Sequence, residues 1–356
     1  MKNYLCYKAG PAILDMIRQE GLRPERIRTF AGPAGGPKWF VSVGFDHMLM
    51  RSRILGKGGH RVLLAGSSAG AWRCLAMACA DPPAAYEKLR IAYSRNVFTS
   101  ADTPVTVAAA LKGNVDAFLG DIDVDHILNH SVYDLALHTV RAKGPAASEN
   151  RTIQGAALVA AMLANAASSS AMGLFFERVV FISDPFGHSF IRGFSGTAVQ
   201  LTKENLRQAA LATGSLPYIV AGVPDIFGAP AGVYRDGGLL DYQLNQDYLP
   251  SGDGLTLFFH YQERIVPGWF DKKLSWRTPP QGALDRVLQV YPGRDFVRRL
   301  PGRKLPDRDD FREFVNDPAE RIRRWDEVSA LSEILGEEFL EAVESGRIRS
   351  LIQPIQ

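Results

Sequence analysis

The sequence predicts an α/β protein of three layers: a central, mostly parallel sheet covered by helices on both faces, followed by a helical C-terminal extension. Three observations lead there. Short apolar runs of strand length alternate with stretches whose apolar residues recur at helical spacing, which is the pattern of a sheet built from crossover connections. Runs such as Val62-Leu63-Leu64-Ala65 and Leu255-Thr256-Leu257-Phe258-Phe259 are apolar nearly throughout rather than alternating, as strands covered on both faces are. Beyond residue 290 the strand-like runs give way to charged, amphipathic helices.

In chain order, Pro11 to Glu20 reads as a helix closed by Gly21, and Ile27 to Ala31 as a strand entering the loop Gly32-Pro33-Ala34-Gly35-Gly36-Pro37. Phe40 to Met50 has helical spacing. Val62 to Ala65 is a strand followed by a helix over Ala69 to Ala78, and Ala84 to Phe98 is a further amphipathic helix. Residues 100 to 150 are mixed, with no clear period. Val179 to Ser183 reads as a strand, Lys203 to Thr213 as a helix, Gly232 to Arg235 as a short strand and Leu255 to His260 as a buried one. Arg294 to Arg312 is rich in Arg, Asp and Pro; Asp317-Pro318-Ala319-Glu320 then supplies an N-cap, a proline at the first helical position and an acid at the third. The helices after it carry one apolar face through Ile322, Trp325, Val328, Leu331, Leu335 and Phe339. The expected division is therefore 1–290 for the α/β domain and 291–356 for an extension packed on the same domain.

Composition narrows the function classes. With 46% apolar and 22% charged residues in 356, the chain can bury a large core, and a net charge of +3 gives no footprint for nucleic acid. Cys6, Cys74 and Cys79 are an odd set without a framework spacing, which favours a reducing compartment. The first eleven residues hold no apolar h-region, so a cytoplasmic protein is expected, with peripheral contact at a membrane as its nearest approach to lipid. Gly155 to Phe176 approaches membrane length, but it is alanine-rich and interrupted by Asn165 and Ser168 to Ser170; a buried helix or a lid over the site is the expectation.

The chemistry concentrates at Gly66-Ser67-Ser68-Ala69-Gly70. Directly behind an apolar strand run and ahead of a helix, Gly-x-Ser-x-Gly reads as a nucleophile elbow with Ser68 at its apex, the glycines Gly66 and Gly70 leaving room for a tight turn. A serine hydroxyl needs a base and its oxyanion needs donors. Donors are available in Ala34-Gly35-Gly36-Pro37-Lys38, a glycine-rich loop between strand and helix; a nucleotide-binding loop is excluded there by Pro37 before the lysine and Trp39 after it. For the base, Asp236 ends a short strand and is followed by Gly237 and Gly238, although Asp-Gly is equally a common turn dipeptide.

Taken together these motifs resemble the patatin-like phospholipases. The glycine-rich loop at 34–38, the elbow at 66–70, Ala212-Thr213-Gly214-Ser215-Leu216-Pro217 and Asp236-Gly237-Gly238 stand in that family's order, over roughly residues 27 to 240. The resemblance implies a Ser-Asp dyad, with Ser68 as nucleophile, Asp236 as general base and the Gly35 and Gly36 amides as the oxyanion hole. Gly66, Ala69, Gly70, Lys38, Gly237 and Gly238 support them. It also implies a serine acyl hydrolase acting on lipid or fatty-acyl esters through an acyl-enzyme, with no metal or organic cofactor. Ala34 in place of the family's first loop glycine and Trp39 in place of a small residue are departures from the pattern.

Other readings compete. Ser68, Asp236 and His260 follow the chain order of an α/β-hydrolase triad, and a non-catalytic lipid-binding relative would keep the fold without the activity. His126 and His130, near Asp123 and Asp125, lack a third metal ligand. The segment Pro267 to Arg277 mixes Trp269, Phe270 and Trp276 with cations, as segments at lipid surfaces do, or else tucks its rings into the core. Arg298, Arg299, Arg303 and Lys304 form a basic cluster that could meet anionic headgroups or simply be solvated.

Overall fold

The computed structural model describes residues 3–185, 187–250 and 253–355, so Met1 and Lys2 of the N-terminal stretch lie outside it. Eleven strands are present among these residues: β1 (Leu5–Ala9), β2 (Ile27–Gly32), β3 (Val62–Ser67), β4 (Tyr133–Ala142), β5 (Phe176–Ile182), β6 (Thr197–Gln200), β7 (Val223–Pro224), β8 (Val233–Asp236), β9 (Leu255–Phe259), β10 (Val287–Pro292) and β11 (Ile352–Pro354). They form one mixed sheet in the order β11-β1-β10-β9-β2-β3-β4-β5-β6, with β8 paired to β4 and β7 to β8. The centre, from β10 through β9, β2 and β3 to β4, is parallel throughout. This is the expected α/β architecture, with helices flanking a mostly parallel sheet.

Burial explains why the apolar runs become central strands. All six residues of β3, all five of β9 and all six of β10 are buried, and their side chains divide between two faces. Leu63 and Ala65 join Ala31, Ala136 and Phe258 against Phe190, Leu244 and Tyr248. Leu64 and Val62 face the larger core, with Phe30, Trp72, Phe45 and Leu75.

Into that larger core the elbow helix (Ala69–Met77) carries a charge. The guanidinium of Arg73, fully buried, donates through Nε to Asp46 Oδ2 at 2.6 Å and through an Nη to Oδ1 at 2.8 Å, and the Tyr86 hydroxyl donates to the same carboxylate. Asp46 lies on the helix Val43–Ser52, so this bidentate pair fastens the elbow helix to its neighbour.

Two regions differ from the expectations. Residues 100 to 150 contain the helices Pro104–Phe118 and Asp121–Leu128 and then β4, the longest strand of the sheet. The boundary expected at 290/291 falls inside β10, a buried strand flanked by β9 and β1, because the run Val287 to Pro292 is apolar enough to sit in the sheet. The C-terminal helices pack back on the domain: Glu333–Glu344 lies against Val43–Ser52, with Gly44 N–H donating to Ser332 Oγ at 2.9 Å. The chain then returns to the sheet, β11 pairing in parallel with β1. No helix among the described residues is long and apolar enough to cross a membrane; residues 155 to 176 divide between the helix Arg151–Ala167, a short 3-10 turn over Ser169–Leu174 and the first residue of β5.

Removing the partner of a buried carboxylate leaves an uncompensated charge. Arg73→Leu is therefore expected to lower unfolding stability by about 3–5 kcal/mol, read from urea denaturation; a loss under about 1 kcal/mol would mean that the pair does not anchor the elbow helix.

Candidate active site

Strand register brings the serine and the aspartate together. Along one edge of β4, β3 pairs in parallel up to Ser67 opposite His138, and β8 pairs antiparallel from Asp236 opposite Thr139. The last residues of β3 and β8 therefore stand against adjacent residues of one strand, their chains arriving from opposite directions. Ser68 follows Ser67 immediately, and its hydroxyl comes near enough to the Asp236 carboxylate to draw its pKa downward.

Ser68 has φ +54° and ψ −131°, a left-handed conformation that costs a non-glycine residue on the order of 1–3 kcal/mol. Tertiary bonds hold it there. Its N–H donates to Thr213 Oγ1 at 2.8 Å, and the Thr213 hydroxyl donates in turn to the His138 carbonyl at 2.6 Å. Its carbonyl accepts from Ala71 and Trp72, starting the elbow helix. Close packing sets the glycines: a Cβ on Gly70 would come within 2.1 Å of the Gly32 carbonyl oxygen, so the elbow helix can rest on the end of β2 only if that position is bare. The same holds for Gly237, where a Cβ would sit 2.1 Å from the His138 oxygen.

Asp236 is 2% exposed. Burial pushes its carboxyl above the ordinary carboxylate range, against the opposing pull of Arg308, the Gly238 N–H, the Ser68 hydroxyl and Lys272. The Gly238 N–H donates to its Oδ1 at 2.8 Å and its own N–H donates to Ser215 O at 3.0 Å, so the side chain is fixed in direction. A serine hydroxyl beside a desolvated, oriented carboxylate is an arrangement from which a proton can pass.

The glycine loop lies across from these groups. Ala34 N–H donates to Tyr242 O at 2.8 Å and the Tyr261 hydroxyl donates to Ala34 O at 2.8 Å, pinning the loop at its start. The N–H groups of Gly35 and Gly36 find no acceptor among the described residues, and neither do those of Ala69 and Gly70 at the start of the elbow helix. Lys38, whose ammonium burial pulls down, sits 5.9 Å above the Tyr261 ring and 4.0 Å from Asp307.

A cavity of about 540 Å³ opens on Ser68 and Gly36. Trp72, Leu111, Leu216, Val220 and Phe311 make its walls apolar, and Tyr218 and Ile219 at its rim are 43% and 48% exposed. The start of the helix Pro104–Phe118 forms part of the enclosure; of the helix Arg151–Ala167, Arg151 alone reaches the lining.

His260 stands apart from this site. It lies fully buried at the end of β9, its Nε2 3.2 Å from Arg264 O, and burial drives its pKa down to about 3. It neither lines the cavity nor bonds to Asp236 or Ser68, so the geometry of a triad is not formed. Among the described residues no group of three or more His, Cys, Asp or Glu could hold a metal; His130 Nδ1 instead accepts from Val132 and Tyr133 N–H. The aromatic segment after Pro267 divides: Trp269 packs with Ala34, Tyr242 and Val266, while Trp276 is 67% exposed.

Two neighbours of the site were not among the candidates: Lys272, and Arg308 of the C-terminal extension. Neither carries a local motif, and only the fold brings them beside the glycine loop. Compared with known proteins, the chain matches no family model and no curated protein.

Exchanging Ser68 separates backbone strain from chemistry. Because glycine adopts positive φ freely, Ser68→Gly is expected to unfold at higher denaturant than Ser68→Ala by about 1 kcal/mol; equal midpoints would mean that the elbow is unstrained. Asp236→Asn tests burial. With the folded pKa raised, ionisation of Asp236 costs stability that is fully lost above that pKa and not lost below the unfolded value near 3.8. The asparagine variant should therefore gain stability over the wild type as pH rises through this window, in urea melts across pH.

Proposed function

We propose that this protein is a serine acyl hydrolase that cleaves lipid or fatty-acyl esters through Ser68 and Asp236. The observation that carries the reading is the strained Ser68, set beside a buried carboxylate of raised pKa at the mouth of a mostly apolar cavity. In the first half-reaction Ser68 Oγ attacks the ester carbonyl while its proton passes to Asp236. The oxyanion forms toward the free N–H groups of Gly35 and Gly36, with Ala69 N–H on the helix side. Collapse breaks the carbon–oxygen bond to the alcohol, which leaves with the proton from Asp236. Water then gives a proton to the same carboxylate and attacks the acyl-enzyme, and Ser68 recovers its proton as the acid departs. Glycine at 35 and 36 keeps the donors close: a Cβ on Gly35 would meet the Tyr261 ring at 2.6 Å.

The mostly apolar walls and the exposed Tyr218 and Ile219 support an acyl chain as the occupant of the cavity. The resemblance of the motifs to patatin-like phospholipases supports the same chemistry.

Hydrolysis of a short-chain p-nitrophenyl ester and of mixed phospholipid vesicles is the test. Ser68→Ala and Asp236→Ala should each lose at least 10³-fold in kcat/KM with the fold intact by circular dichroism. The wild-type rate should rise with pH through a pKa above the ordinary carboxylate value, because the ionised form is the base. Activity surviving in either variant, or absent in the wild type, would overturn the reading.

A further inference from the structure

The helix Arg151–Ala167 is turned the opposite way from most helices on a protein surface, which hide an apolar stripe and show a polar face. Its inner face is held to the domain through two buried amides. Gln154 Oε1 accepts from Tyr218 N–H at 2.5 Å and its Nε2 donates to Ser148 O at 2.7 Å, while Asn165 Nδ2 donates to Asp271 Oδ1 at 2.7 Å. Ala157 and Ala161 are buried between them. The outer face, by contrast, presents Ile153, Val159, Met162 and Leu163, all between 49% and 64% exposed, and it covers about half of the helix circumference. No residue from Thr152 to Phe176 is charged. An exposed apolar face of this extent marks a contact surface.

This face runs into the cavity mouth. A Cβ on Gly155 would lie 3.6 Å from the Tyr218 ring, the Arg151 guanidinium stacks 4.5 Å over the same ring, and Tyr218 and Ile219 form the exposed rim. At the far end Arg277 donates to Asn165 O at 2.6 Å, which places the exposed Trp276 next to the helix terminus. Cations stand at both ends: Arg151, and Lys143, whose Nζ donates to Gly173 O at 2.9 Å. Neither has a carboxylate partner among the described residues, because the nearby acids are taken, Glu149 by Arg235 and Glu177 by Arg141, each at 2.6 Å.

We propose that this face docks the protein on the surface of an anionic lipid bilayer, its apolar side chains entering the headgroup region, Trp276 resting at the boundary, and Arg151 and Lys143 meeting anionic headgroups. A second copy of the chain fits the same face less well. In a twofold contact the patch meets itself, and it holds no acid to pair with the two cations. Docking stands on the surface alone; only its consequence, that an acyl chain enters the cavity directly from the bilayer, rests on the hydrolase reading.

Vesicle flotation of the full-length Ser68→Ala protein tests the surface without consuming the lipid. Binding should be tighter to equimolar phosphatidylcholine–phosphatidylglycerol vesicles than to phosphatidylcholine alone. Val159→Glu combined with Leu163→Glu should weaken it by at least about tenfold with the circular dichroism spectrum unchanged, whereas Ile122→Glu, at an exposed apolar position on the helix Asp121–Leu128, should alter it by less than about twofold. Arg151→Gln combined with Lys143→Gln should abolish the preference for anionic vesicles. No binding to either vesicle, binding that survives the two glutamates, an anionic preference that survives loss of both cations, or a dimer in ultracentrifugation that the two glutamates dissociate would overturn the proposal. Ester hydrolysis that survives Ser68→Ala while flotation is intact would count against the hydrolase reading alone.

Discussion

The site depends on one register along β4. His138 faces the end of β3 and Thr139 faces the end of β8, so the two chains that carry Ser68 and Asp236 meet at neighbouring positions of one strand. A slip of one residue on either side would turn every side chain to the opposite face and separate the pair. Thr213 makes slippage costly, because its hydroxyl joins the Ser68 N–H to the His138 carbonyl and so ties the elbow to the strand that sets its partner. The bare Cα of Gly237 lets β8 leave β4 directly over the same carbonyl. His138 thus takes part through its backbone, while its imidazole is used on the other side in a bond to Tyr248.

Two features that oppose stability are concentrated here, and both bear on the proposed proton transfer from Ser68. The elbow holds a serine in a backbone region suited to glycine, which exposes its hydroxyl at the cavity. Burial of Asp236 raises the proton affinity of a group that would otherwise be a weak base near neutrality. The surrounding sheet can sustain these costs because its central strands are buried on both faces and because the elbow helix is fastened through Arg73 to Asp46.

Much of this was legible in the sequence, and the remainder was hidden for definite reasons. Val62 to Ala65 and Leu255 to Phe259 are continuous apolar runs, and the elbow, the glycine loop and Asp236-Gly237-Gly238 are local patterns tied to backbone requirements that few other residues meet. β4 was not legible, because Tyr133-Asp134-Leu135-Ala136-Leu137-His138-Thr139-Val140-Arg141-Ala142 interrupts its apolar residues with polar ones. These are satisfied only by distant partners: Asp134 by Arg61 and His188, His138 by Tyr248, and Thr139 by the Val179 carbonyl. β1 and β10 were likewise missed. The motifs announced which residues could react, whereas the strand that juxtaposes them carries its information in tertiary contacts. Arg308 and Lys272 are harder still, since an isolated basic residue far along the chain has no sequence mark that distinguishes it from a solvated one.

The C-terminal extension consequently belongs to the site as well as to the sheet. It closes the sheet edge through β11 and, midway, lays Arg308 and Phe311 on the cavity wall. Its charge bears on the base. Arg308 and Lys272 both draw the Asp236 carboxyl downward, against the burial that raises it.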